Sequence, residues 1–236
     1  MENEIMDLEQ LATYLRRDVR EVSKLANRGH LPGQKVGGQW RFASVEINRW
    51  IETQLPTYSE EELSVLEHQA GTGVAADELL ISNLLSEATI AVPLPARTRA
   101  SVLRELVTLA EQSWQVYDPQ ALLHAITMRE EMGSTALHSG VAVPHPHRPL
   151  SDRAQGESLI AYGHIPGGVP FGAPDGTLTE HFFLVSCRDA RTHLQVLARL
   201  SRLILRPELL DALRAAETVQ ESYGILRAAE EALLAE

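Results

Sequence analysis

Apolar residues recur every three or four positions in several segments, which is the spacing of helices with one buried face. In the first fifty residues this pattern predicts a helix after Asp7, a second over 19–28 and a third after Ser44. Residues 31–42, between the second and third helices, read as two short strands around a Gly-Gly turn. The predicted order is therefore helix, helix, hairpin, helix.

Farther along the chain, short apolar runs alternate with helical patterns, as in an α/β domain. The strand candidates are residues 89–92, 141–143, 158–162 and 181–186. The helix candidates are residues 99–114, 118–128, 193–205, 207–215 and 218–234. Capping residues support two of these starts, namely Asp118 before Pro119, and Thr218 with Glu221 three residues later.

Residues 55–77 have a different composition. They contain Pro56, an acidic run at 60–62 and a Gly-Thr-Gly sequence. Proline, glycine and charged residues with few apolar ones between them are typical of linkers. Leu63 and Leu66 are spaced for one face of a short helix. We therefore predict a first domain at 1–54, an acidic linker at 55–77 and a second domain at 78–236.

The composition is that of a soluble globular protein. Hydrophobic residues make up 44% of the 236 positions and charged residues 22%. No apolar stretch approaches the roughly eighteen residues that a membrane helix needs, and the acidic N-terminus does not resemble a signal peptide. Cys187 is the single cysteine, which excludes an intrachain disulfide. These features predict a cytoplasmic protein without membrane insertion.

The net charge of −11 is unevenly distributed. Residues 1–54 hold eight basic and eight acidic side chains, whereas the remainder holds thirteen basic and twenty-four acidic ones. The overall acidity therefore does not exclude a basic, nucleic-acid-binding face on the first part.

The segment from Arg129 to His147 carries the main chemical candidates. A short apolar strand, Val141-Ala142-Val143, stops at Pro144 and presents His145. A neutral imidazole is nucleophilic near neutral pH, so a histidine fixed at a strand end suits acceptance of a transferred group. Arg129 is a candidate for neutralising the charge of that group.

These residues resemble the active-site region of the fructose/mannitol-type enzyme IIA of the sugar phosphotransferase system. The similar features are Arg129-Glu130, Ser134-Thr135, the run 140–145 ending in Pro-His, the run 171–176 and the run 192–198. The resemblance covers roughly residues 79–234 and implies a mixed sheet flanked by helices on both faces. The chain departs from the family pattern at Ala136, His138 and Pro146.

The resemblance implies roles for three residues. His145 would accept a phosphoryl group from phospho-HPr or a paralogue, Arg129 would neutralise it, and His193 would match the family's second histidine. No cofactor is implied. An alternative is a zinc site built from His145, His147 and His193, with His138 as a further candidate ligand, although the His-Pro-His spacing is unlike the helical ligand pair.

The first fifty residues resemble an excisionase-type winged helix-turn-helix, a family related to the MerR-type regulators. The similarity lies in Arg-Gly-His-Leu-Pro at 28–32, followed by Val-Gly-Gly-Gln-Trp-Arg-Phe at 36–42. It implies DNA binding through the second helix and the wing. The implied DNA-contacting residues are Arg17, Arg20, Lys24, Arg28, Lys35, Gln39 and Arg41. Such modules commonly bind as dimers, so a homodimer is expected.

Together these features predict a regulator that joins a DNA-binding head to a phosphorylatable enzyme IIA domain. If the transfer is active, the second domain is a phosphohistidine phosphotransferase component. One alternative is a phosphoryl relay to a sugar-transporting partner, with the head used for protein docking. A second is an enzyme IIA-like sensor that has lost phosphorylation, consistent with Ala136 and Pro146.

Overall fold

The computed structural model of the chain describes residues 5–15, 17–70 and 80–235. Contacts between residues divide it into two compact units, one ending at Thr57 and the other beginning at Tyr58. Within the described ranges, no helix is long and apolar enough to span a bilayer.

The first unit contains three helices and a small antiparallel sheet. Its elements are β1 (Ile5–Met6), α1 (Leu8–Leu15), α2 (Val19–Asn27), β2 (Gln34–Val36), β3 (Gln39–Ala43) and α3 (Ser44–Gln54). The strand order is β1-β3-β2. The predicted order of two helices, a hairpin and a helix is confirmed, and β1 is a strand that the apolar pattern did not predict.

Local hydrogen bonds explain where these helices begin. Asp7 and Gln10 cap α1 reciprocally, since the Gln10 N–H donates to Asp7 Oδ1 at 2.9 Å and the Asp7 N–H to Gln10 Oε1 at 2.8 Å. The expected cap at Ser44 is wrong. Ser44 is the first residue of α3, and its cap is Ala43, which makes no side-chain bond, because β3 runs directly into the helix.

The second unit is a mixed α/β domain. Its helices are α4 (Glu60–Ala70), α5 (Ile81–Leu84), α6 (Arg99–Glu111), α7 (Pro119–Glu131), α8 (Ala190–Ile204), α9 (Pro207–Ala215) and α10 (Val219–Leu234). Its strands are β4 (Ile90–Ala91), β5 (Val141–Ala142), β6 (Leu159–Val169) and β7 (Thr179–Ser186). The sheet order is β4-β6-β7-β5, with the β6–β7 pair antiparallel and the two outer pairs parallel.

Helices cover both faces of this sheet. Ala161, Phe182 and Leu184 belong to the apolar core that also contains the buried face of α6. Tyr162 and Phe183 point to the opposite face, because side chains alternate along a strand, and they are buried as well. The predicted α/β architecture with a flanked mixed sheet is therefore confirmed.

Several element boundaries differ from those predicted, among them the end of β6 and the start of α8. β6 continues to Val169, seven residues beyond the predicted end, because a β-bulge after His164 absorbs the Pro166-Gly167-Gly168 sequence that would normally end a strand. α8 begins at Ala190 rather than at residue 193, since the Asp189 side chain caps it. The caps at Asp118 and Thr218 are confirmed.

Part of the segment predicted as a linker has regular structure. Leu55–Thr57 forms a 3-10 turn, and α4 packs against α8 within the second unit. Leu63 and Glu67 on α4 are each about 1% exposed, so the contact is a buried one. Residues 71–77 of that segment lie outside the described part of the chain.

A fully buried guanidinium joins four helices of the second unit. Arg199 on α8 forms ion pairs with Glu67 on α4 and with Glu230 on α10, the latter at 2.9 Å. Glu230 also accepts the backbone N–H groups of residues 80, 81 and 82 at the start of α5, each at 2.8 Å. Arg202 donates to Glu67 at 2.9 Å, which gives two cations and two anions. Their charges therefore balance inside the protein.

We predict that Arg199→Met destabilises the second unit by about 3–5 kcal/mol, because it leaves two buried carboxylates without their shared partner. Urea unfolding followed by circular dichroism measures the change. The matched control is Arg227→Met, which removes an exposed ion pair with Glu231 and is expected to leave the midpoint unchanged. Equal midpoints for the two variants would contradict a stabilising role for the buried network.

Candidate functional site

His145 lies on a segment that is anchored to the sheet. β5 pairs in parallel with β7, and the pairing continues past Pro144, whose carbonyl accepts the Val185 N–H at 2.9 Å. On the other side, the Val143 N–H donates to the Thr135 carbonyl at 3.1 Å. His145 therefore follows a backbone that is fixed on both sides, and its side chain is only 4% exposed.

The two ring nitrogens of His145 have different surroundings. Nδ1 lies 2.7 Å from the Val143 carbonyl oxygen, which can only accept, so Nδ1 carries the proton in the neutral ring. Nε2 accepts a hydrogen bond from Arg129 Nε at 3.2 Å. The lone pair of the imidazole is thus on Nε2, next to a guanidinium.

Arg129 is buried in the last turn of α7. Besides its bond to His145, its NH1 donates to the Gly133 carbonyl at 3.1 Å, so the guanidinium is held at two points. A fixed cation beside a nucleophilic nitrogen is suited to stabilising an anionic group transferred to that nitrogen.

Glu130 determines the shape of the turn between α7 and β5. Its carboxylate accepts the Thr135 N–H at 3.0 Å, the Thr135 hydroxyl at 2.6 Å and Arg99 NH2 from α6 at 2.6 Å. In the sequence, Glu130 belongs to the Arg129-Glu130 motif, but no role is predicted for it. Its place next to Arg129 and its spacing to Thr135 are the sequence features that could have indicated one.

His193 lies in the first turn of α8, and its ring centroid is 4.9 Å from that of His145. Because α8 begins at Ala190, the Asp189 carboxylate caps the turn that carries His193. The N–H groups of Arg191 and Thr192 donate to Asp189 Oδ1, each at 2.9 Å, and are therefore engaged with a carboxylate. The contribution of His193 to the site is its imidazole, not a set of free helix N-terminal amides.

The hydroxyl groups of Ser134 and Thr135 hold the local backbone and side chains together. The Ser134 hydroxyl donates to the Phe171 carbonyl at 2.9 Å, and that of Thr135 donates to Glu130. Exposed His138 lies 3.3 Å from the Asp175 carboxylate. Hydrogen bonds from Thr177, followed by the contact with His138, lower the pKa of Asp175 to about 2. These contacts order the loop that carries Asp175.

The first unit places three cations in a row along α2 and its C-cap residue. Arg20, Lys24 and Arg28 are spaced four residues apart and are all exposed. Val22 and Ala26 are buried on the opposite face. A row of exposed cations on a second helix has the composition of a phosphate-contacting surface.

The other predicted DNA-contacting residues have partners within the first unit. Arg17 pairs with Glu21 at 2.8 Å, which neutralises the acidic residue next to the cation row. Lys35 donates to Asn27 at 3.2 Å and lies 5.0 Å from the ring centroid of Trp40. In the wing, Arg41 donates to Gln39 at 3.0 Å.

Comparison with known families agrees with this architecture. The family described as "Phosphoenolpyruvate-dependent sugar phosphotransferase system, EIIA 2" matches residues 83–229, so the chain belongs to this family. A family described as "Helix-turn-helix domain" matches residues 5–55, which comprise the three helices and the wing of the first unit.

Two relatives illustrate the similarity. The "PTS system fructose-specific EIIABC component" of Bacillus subtilis is 31% identical over 148 residues, which are 62% of this chain and 23% of the relative. The chain thus spans less than a quarter of that protein. The "Nitrogen regulatory protein" of Pseudomonas aeruginosa is 27% identical over 62% of this chain and 94% of its own length.

Solved structures show the same fold. Nitrogen regulatory protein IIA-Ntr from Neisseria meningitidis superposes with a TM-score of 0.56 at 23% identity, over 63% of this chain and 99% of that one. The mannitol IIA of Escherichia coli gives a TM-score of 0.53 at 21% identity, over 60% of this chain and 98% of that one.

We predict that the neutral His145 ring carries its proton on Nδ1, because the Val143 carbonyl can accept only from an N–H. Long-range ¹H–¹⁵N spectra distinguish the two tautomers of a histidine, and the His145→Gln variant assigns the signal. His124, an exposed histidine on α7, provides the comparison. A proton found on Nε2 would contradict the described orientation.

Proposed function

We propose that the chain is a regulator linked to the phosphotransferase system. In this proposal, His145 accepts a phosphoryl group from phospho-HPr or a paralogous donor, and the N-terminal helix-turn-helix domain binds DNA. The observation that carries the proposal is the arrangement at His145, in which the Val143 carbonyl holds Nδ1 and Arg129 lies beside Nε2.

The arrangement supports a specific transfer step. The Nε2 lone pair attacks the phosphorus of the donor phosphohistidine, so a new P–Nε2 bond forms as the P–N bond of the donor breaks. The electron pair of the broken bond returns to the donor imidazole, and the His145 proton stays on Nδ1, hydrogen-bonded to the Val143 carbonyl. The Arg129 guanidinium lies beside Nε2 and stabilises the negative charge of the phosphoryl oxygens during the transfer.

One further observation bears on this step. The His193 imidazole is close enough to His145 to contact a phosphoryl group bound there.

The regulatory part of the proposal rests on the combination of domains. An enzyme IIA domain and a helix-turn-helix domain occur in one chain, and several relatives of the enzyme IIA domain are named nitrogen regulatory proteins. We assign DNA binding to residues 1–54 and phosphoryl transfer to residues 78–236. Binding as a homodimer is part of the proposal, because a single small module of this type rarely binds tightly alone.

A second candidate function is a sensor that is not phosphorylated. Ala136 and Pro146, at positions where the family has other residues, favour this alternative. The phosphorylation assay below separates the two functions, because the sensor takes up no phosphate under any condition.

We predict that phosphoenolpyruvate, enzyme I and HPr together add one phosphoryl group to the chain and none to His145→Ala. Intact-mass spectrometry at pH 8, where phosphohistidine survives, measures the addition. Arg129→Gln is expected to slow the addition about 10²-fold, because one charge-stabilising donor is lost. The matched control, His124→Ala, changes an exposed histidine on α7 and is expected to behave as wild type. Labelling that persists in His145→Ala would overturn the assignment.

We predict salt-dependent DNA binding through α2. For the triple variant Arg20→Ala, Lys24→Ala, Arg28→Ala, the slope of log K against log salt concentration is expected to fall by up to about 2.7, or about 0.9 per phosphate contact. Fluorescence anisotropy with a labelled duplex, repeated at several salt concentrations, measures this slope. Arg104→Ala removes an exposed cation from the second unit and serves as the control. An unchanged slope in the triple variant would exclude α2 as the DNA-contacting surface and favour a docking role for the head.

A further inference from the structure

The helix α2 carries one amide side chain, that of Asn27, and this amide lies among the exposed cations of the first unit. With about 3.6 residues per turn, Asn27 is about 20° round the helix axis from Arg20 and about 60° from Lys24. Val22 and Ala26, the buried residues of α2, face the interior of the unit. The amide is therefore exposed on the surface that the proposed function assigns to phosphate contacts.

Two hydrogen bonds fix the orientation of this amide. Lys35 Nζ, on β2, donates to Asn27 Oδ1 at 3.2 Å, and Asn27 Nδ2 donates to Ser23 Oγ at 3.3 Å. A lysine ammonium can only donate, so Oδ1 and not Nδ2 faces Lys35. The ammonium also lies 5.0 Å from the ring centroid of Trp40, a cation–π contact that holds it in place. The amide is thus held by its own helix and by the wing.

These contacts leave half of the hydrogen-bonding capacity of Asn27. A carboxamide oxygen has two lone pairs and its nitrogen two hydrogens, and the bonds to Lys35 and Ser23 use one of each. One acceptor and one donor position remain. In the major groove, adenine presents the N6 amino group as a donor beside N7 as an acceptor, whereas guanine presents two acceptors there. Adenine is therefore the base that satisfies both remaining positions.

The neighbouring cations suit a different task. Arg20, Lys24 and Arg28 have long, flexible side chains, which contact phosphates and set the register of a protein on DNA without reading its sequence. The Asn27 side chain is short and already held in one orientation. It therefore loses little conformational freedom when it contacts a base, which favours selective recognition.

We propose that Asn27 makes DNA binding by the first unit selective for an adenine, contacted at N6 and N7 in the major groove. This inference rests on the proposed DNA binding and adds the base that the surface recognises. Ser23 and Lys35 are positioning residues, because they hold the amide rather than read a base themselves. Since Lys35 belongs to the wing, the wing contributes to selectivity through α2.

The test uses the full chain and a library of DNA duplexes with a randomised segment, from which the wild type selects a preferred sequence. Fluorescence anisotropy then measures the affinity for this duplex and for versions in which each A·T pair in turn is replaced by G·C. For the wild type, replacement at the contacted adenine is expected to weaken binding about 10- to 100-fold. Asn27→Ala is expected to lose this discrimination and to keep the slope of log K against log salt concentration, because the cations remain.

Two further variants separate base reading from a general role in binding. Asn27→Asp is expected to move the preference at that position from adenine to cytosine, since a carboxylate accepts from the cytosine N4 amino group. Lys35→Met keeps an unbranched side chain beside Trp40 but removes the donor to Oδ1. It is expected to reduce the discrimination at the adenine position, whereas loss of a phosphate contact alone would lower the affinity for every duplex alike.

The matched control is Asn83→Ala, which changes an exposed asparagine of the second unit and is expected to discriminate as the wild type does. Circular dichroism verifies that each variant is folded. Unchanged discrimination in Asn27→Ala, or wild-type binding without preference for any base, would overturn the inference and leave the proposed DNA binding intact. Absence of salt-dependent binding of the wild type to every duplex would overturn the proposed DNA binding and this inference together.

Discussion

The geometry around His145 depends on the buried carboxylate of Glu130. This one side chain accepts hydrogen bonds from Arg99 on α6 and from both the backbone and the hydroxyl of Thr135. It thereby fixes the turn through which α7 passes into β5. Arg129, its neighbour in sequence, points to the His145 ring from the same helical turn. The group that faces the His145 ring and the group that holds the turn are therefore consecutive residues, and a shift of either displaces both.

The local parts of this architecture could be predicted from the sequence, because their determinants lie close together in the chain. The start of α7 at Asp118-Pro119 and that of α10 at Thr218 follow from capping groups within three residues of each helix start. The strand leading to His145 follows from a short apolar run closed by proline. No periodicity relates Arg129 and His193 to His145, because these residues are far apart in sequence. Their proximity was implied only by the family motif.

The remainder depends on partners that are far apart in sequence. Glu67 follows an acidic run that reads as solvent-exposed, yet it is buried by Arg199, 132 residues later. The apolar pattern places β6 only to residue 162, because Pro166 and the two glycines after it normally end a strand. Pairing with β7 and a bulge extend β6 to Val169. The burial of Glu67 and the length of β6 both depend on tertiary contacts between residues that are far apart in sequence. No short stretch of sequence contains both partners.

The position of α8 connects the proposed chemistry to the rest of the second unit. Its first turn carries His193, beside His145, and two turns later Arg199 and Arg202 pair with Glu67 on α4. A phosphoryl group on Nε2 would place new negative charge between Arg129 on α7 and His193 on α8, and thus attract both helices. Because a helix transmits displacement along its axis, α8 would carry that attraction to its buried ion pairs with α4. These ion pairs make α4 the element that buried charge joins to α8.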